Sequence, residues 1–137
     1  MSELSARFDL PLGEHAPAGA RHTVRQMLIT WGYTRPEWLD VACLVLAELV
    51  TNAVRHGNGC VELCVQAHED DVTLSAADGS SVVPRRRAAG ETGGYGLAII
   101  EQFSAAWGVE NHHGGKRVWV RLAPYPAPVD GDGRADR

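Results

Sequence analysis

A carboxylate and a carboxamide four residues apart, Glu48 and Asn52, are the first residues in this sequence that could do chemistry together. On a helix, at about 100° per residue, they point the same way, and with Thr51, Arg55 and His56 they fill an arc of roughly 140°. An amide oxygen beside a carboxylate suits Mg²⁺, which takes hard oxygen ligands and keeps several waters. An ordinary solvated helix face would show the same stripe. One turn earlier this arc carries Val41, Leu44 and Val45. The helix is therefore expected to begin buried on this side, with a pocket opening where the polarity does.

Two further groups lie downstream. Asp78-Gly79-Ser80 offers a carboxylate that can accept a hydrogen bond from an exocyclic amine, next to a glycine that lets a flat ring approach the backbone. A plain Asp-Gly turn fits the same letters. Gly93-Gly94-Tyr95-Gly96-Leu97 opens a predicted helix, where free backbone N–H groups at the positive end can receive a phosphate. Glycine-rich helix starts without a ligand are also common. Gly115-Lys116 lacks the Ser or Thr that follows in a Walker loop, and the glycine cluster does not follow a strand closely, as a dinucleotide fold requires.

The elements that must position these residues follow from periodicity. Arg7 to Leu10 alternates polar and apolar residues and predicts a short strand ended by Pro11 and Gly13. Ala20, Val24, Met27, Leu28 and Trp31 recur at helical spacing, predicting a helix from about Pro17 to Trp31 with Gly32 as its stop. A second, long helix is predicted from Glu37 to His56, closed by Gly57-Asn58-Gly59. Val61, Leu63 and Val65 alternate with polar neighbours, and a polar turn from His68 to Asp71 leads to a partner strand from Val72 to Ala77. Residues 78–94 read as a loop of functional length, followed by a helix from about Tyr95 to Ala106. Strands around Trp107 to Asn111 and Arg117 to Leu122 flank a His-His-Gly-Gly turn. This order predicts an α/β (α+β) two-layer sandwich, a mixed and mainly antiparallel sheet with three helices on one face.

Composition narrows the class. A chain of 137 residues with 45% hydrophobic content supplies one core, expected over residues 1–123. Residues 124–137, rich in Pro, Gly and Asp, are expected to be a disordered tail. A net charge of −4, with basic residues scattered apart from Arg85-Arg86-Arg87, argues against a nucleic-acid partner. Cys43, Cys60 and Cys64 form no CxxC pair and no secretory segment opens the chain, which fits the cytoplasm. Cys60 and Cys64 are expected to be small buried residues, and no His or Cys spacing matches a zinc signature. The longest apolar run, Val41 to Val50, contains Glu48 and is too short to cross a membrane.

Taken together, Glu48-Leu-Val-Thr-Asn52-Ala-Val-Arg-His-Gly57, Asp78-Gly-Ser80-Ser-Val-Val-Pro84 and Gly94-Tyr-Gly96-Leu-Ala-Ile-Ile resemble, in order and spacing, the GHKL ATPase superfamily with its Bergerat-type fold. Gyrase, mismatch-repair ATPases and histidine kinases belong to it. The pattern is most similar to the single-domain anti-sigma-factor serine/threonine kinases of actinobacteria, and covers about residues 5–123. The resemblance implies ATP and Mg²⁺ as cofactors, Glu48 as general base and Asn52 as the Mg²⁺ ligand. It places Asp78 on the adenine amine, and Arg55, Ser80, Gly94, Gly96 and Leu97 around the nucleotide. Residues between Asp78 and Gly94 would form the ATP lid, whose Arg85-Arg86-Arg87 could neutralise phosphate or dock a partner. The family usually places Thr in the last strand where Arg117 stands here.

The function implied is ATP-dependent phosphorylation of an anti-sigma-factor antagonist by a kinase that otherwise sequesters a sigma factor. The alternative is an ATP-binding switch that sequesters a partner without transferring phosphate. Apolar residues on the first helix or opening strand could form a homodimer face.

Overall fold

The computed structural model describes residues 3–11, 13, 15–56, 60–78, 96–112 and 114–126. Its elements in chain order are β1 (Glu3–Pro11), α1 (Ala16–Thr30), α2 (Pro36–His56), β2 (Cys60–His68), β3 (Asp71–Asp78), α3 (Gly96–Phe103), β4 (Ser104–His112) and β5 (Gly115–Leu122). The strands form one sheet in the order β1-β2-β3-β5-β4, and all pairings among the described residues are antiparallel. Glu69 and Asp70 close the β2–β3 hairpin, with Glu69 in the left-handed region at φ 57°.

The last strand in sequence is not at an edge. β5 lies between β3 and β4, so among the described strands the β4–β5 hairpin joins the β1-β2-β3 meander through the β3–β5 ladder.

Alternation divides the sheet into two faces. Val61, Leu63, Val65, Ala67, Val72, Leu74, Ala76, Val118, Val120 and Leu122 are buried on the side that carries the helices. There α1 contributes Ala20, Val24 and Leu28 at four-residue spacing, and α2 contributes Leu39, Leu46, Leu49, Val50 and Ala53. Each fully buried leucine contributes about 1.5–3 kcal/mol, so this interface fixes the rotation of α2 and hence the direction of its polar arc. Among the described residues no helix is long and apolar enough to cross a membrane.

Two boundaries differ from the sequence expectation. α3 stops at Phe103 instead of Ala106, because Ser104 and Ala106 pair with Leu122 and Arg121 across a bulge in the ladder. β1 extends from Glu3 to Pro11, paired along its whole length with β2. Beyond β5, Tyr125 packs edge-on against Tyr33 and Trp38, with ring centroids 5.1 Å away in both cases. Its hydroxyl accepts from the backbone N–H groups of Thr34 and Arg35 at 3.0 Å, and Trp38 donates to the Ala123 carbonyl at 3.0 Å. The described chain thus runs past residue 123 as far as residue 126, fastened to the start of α2.

Candidate functional site

The buried side of α2 leaves Glu48, Thr51 and Asn52 half-buried on its flank. Glu48 and Asn52 are one turn apart and share a face, as their spacing requires. The stretch before them is less uniform than expected. Val45 is fully buried and Val41 half-buried, but Leu44 is 39% exposed and lines a cleft between α1 and α2 with Ala18, Arg21, His22, Arg25, Asp40 and Cys43. In that cleft Arg25 donates to Asp40 at 3.1 Å. Bonds to Cys43 and then Asp40 raise the Arg25 pKa above its ordinary value.

Asn52 has a buried amide nitrogen with no hydrogen-bond partner among the described residues. An unmet buried donor costs about 1–3 kcal/mol, and such atoms in native proteins point to a missing ligand, water or ion. Glu48, one turn away, makes contacts of its own. The amide can donate through its nitrogen to an anionic oxygen and coordinate a hard cation through its oxygen.

Asp78 is the last residue of β3, on the helix side of the sheet, and its side chain is 2% exposed. Its direct cross-strand partner on β5 is Lys116, whose Nζ donates to both carboxylate oxygens at 3.1 Å. The lysine side chain is 4% exposed. Sequence reasoning missed this pair, although the alternation that buries Val118, Val120 and Leu122 also turns Lys116 inward. Arg117 has the opposite parity. It lies on the open face, donating to Ser75 Oγ at 2.9 Å and to Glu62 at 2.6 Å. Arg117, where the resemblance leads one to expect Thr, is therefore turned away from Asp78, and Lys116 faces it instead.

α2 packs against both β3 and α3, so Glu48 and Asn52 lie on the element that joins Asp78 at the end of β3 with Gly96 at the start of α3. Ser80, Gly94 and the expected lid with Arg85, Arg86 and Arg87 lie outside the described residues, as do the side chains of Arg55 and Leu97.

A family profile described as the histidine kinase-like ATPase domain matches residues 11–122. The chain belongs to this family. The polar groups that α2 presents, the Asn52 amide beside the Glu48 carboxylate, are of the kind that fits a Mg²⁺–phosphate group. No curated protein matches the chain. Among solved structures, it is similar to a chain in the crystal structure of the SiaB–SiaC complex from Pseudomonas aeruginosa. Identity is 17%, covering 85% of this chain and 87% of that one, with a TM-score of 0.59. The likeness establishes a common fold, the histidine kinase-like α+β sandwich.

Proposed function

We propose that the chain is an ATP-dependent serine/threonine protein kinase of the anti-sigma-factor type. In this role it phosphorylates an anti-sigma-factor antagonist and, when not so engaged, sequesters a sigma factor in the cytoplasm. The observation that carries the nucleotide site is the buried amide nitrogen of Asn52, without a partner among the described residues, on the same helix face as Glu48. Asn52 would hold Mg²⁺, which supplies charge neutralisation at the phosphates. Asp78 accepts from the adenine amine, and Gly94 and Gly96 let the phosphates approach the start of α3.

In the transfer step the serine oxygen of the antagonist bonds to the γ-phosphorus as the bond to the ADP oxygen breaks. ADP leaves with that electron pair, and Glu48 takes the hydroxyl proton. The order of motifs, the family match and the α2 geometry support this reading, while the similarity to a chain of the SiaB–SiaC complex makes a protein partner a natural expectation. Leu4 on β1 and Ile29 on α1, both exposed, are where a homodimer would place its apolar contacts.

The test is phosphotransfer from labelled ATP to candidate antagonist proteins, comparing wild type with Glu48→Gln. Loss of a general base should reduce transfer by about 10²- to 10⁴-fold, with ATP affinity nearly unchanged. Equal transfer by both proteins rejects Glu48 as the base. ATP binding by a wild type that transfers to no antagonist would select the non-catalytic switch.

A further inference from the structure

Lys116 is an unusual residue to find inside a sheet protein. Taking an ammonium out of water costs several kcal/mol unless its charge is paired and all its protons are used. Asp78 meets the charge, and its two oxygens take two of the three donors. Among the described residues no acceptor takes the third. The side chain is 4% exposed and shares the inward parity of Val118 and Val120, so that donor is held on the helix side of the sheet, next to the carboxylate.

Two complementary groups thus stand side by side at the end of β3 and the start of β5. A carboxylate offers about four lone-pair positions; Lys116 takes two of those on Asp78, which makes further contacts besides. The amino edge of adenine presents an N–H donor on its exocyclic nitrogen and, next to it, the N1 ring acceptor. That order suits an acceptor beside a donor.

We propose that Lys116 is a specificity-determining residue of the nucleotide site, donating its third N–H to adenine N1 while Asp78 accepts from the exocyclic amine. The proposal rests on the reading that Asp78 meets the base. It also gives a reason for the departure in the last strand: the base-facing position on β5 is residue 116, filled here by an ammonium. Guanine reverses both polarities along this edge, placing an acceptor where the amine was and a donor at N1.

The experiment compares Mg-ATP with the Mg complex of 1-deaza-ATP, in which N1 is replaced by CH, by titration calorimetry. A lost hydrogen bond to a charged group should make wild type bind the analogue about 10- to 100-fold more weakly. In Lys116→Met the two nucleotides should bind equally. The same is expected of Asp78→Asn/Lys116→Met, which leaves no lone ion buried and so keeps the comparison available if the single variant does not fold. Equal binding of both nucleotides by wild type overturns the proposal, as does undiminished discrimination by either variant. Failure of wild type to bind ATP at all would instead remove the nucleotide reading on which it rests.

Discussion

Removing the charge from Lys116 should expose how much of the fold depends on one ion pair. Lys116→Met keeps a long, flexible stem but leaves Asp78, with a side chain 2% exposed, without its ammonium. At such burial solvent screens little, and breaking a buried pair from one side costs about 3–5 kcal/mol. For a domain of this size each kcal/mol moves the midpoint by about 3–6 °C, so the variant should melt about 9–30 °C below wild type. Replacing both partners, as in Asp78→Leu/Lys116→Met, removes the desolvation cost along with the attraction and should be nearly neutral or stabilising. Urea unfolding of nucleotide-free protein, followed by fluorescence of its four tryptophans and by circular dichroism, completes the cycle. The coupling should reach about 3 kcal/mol. A single-variant loss below about 1 kcal/mol, or losses that simply add in the double variant, would refute the claim that the pair is both buried and mutually dependent.

On the open face, a Cβ at Gly108 would lie 2.8 Å from the Trp119 indole atoms Cε2, Cζ2 and Nε1. Gly108→Ala should therefore displace the indole, cost about 1–3 kcal/mol in urea unfolding and shift the tryptophan emission; an unchanged spectrum would contradict the close approach. Burial first, then Asp70 and Asp71, raise the Tyr33 pKa above its ordinary value. Its contribution is therefore fully present below about pH 10 and is lost as pH rises through the higher folded value. Tyr33→Phe, which leaves the Glu69 carbonyl without its donor, should cost about 1 kcal/mol near neutral pH and flatten the alkaline fall in stability; an identical pH slope in both proteins would contradict this.

What could be read from the sequence was mostly local. The helical spacing of Ala20, Val24 and Leu28 and the alternation of Val61, Leu63 and Val65 each depend on one element's own residues, and both appear where expected. Glu48 and Asn52 share a face because a turn of helix puts them there. The end of α3 was less accessible, since Ser104 and Ala106 are drawn into a strand by partners on β5. Leu44 was expected inside with Val41 and Val45, yet packing against α1 leaves part of it in a surface cleft. Lys116 was visible in principle. A strand register predicts which residues turn inward, but the chemical oddity of a lysine there made Arg117 the more conspicuous neighbour.

The position of β5 has a thermodynamic consequence. Two strand groups, the three-stranded meander and the β4–β5 hairpin, meet along a single seam, and Asp78 and Lys116 stand at one end of it. A molecule gripped by both residues would bridge the two groups and oppose their separation, so that occupancy and the closing of the sheet become one equilibrium. Amide exchange along the β3–β5 ladder would then slow with ligand concentration even far from the contact itself, because opening the seam would require release first.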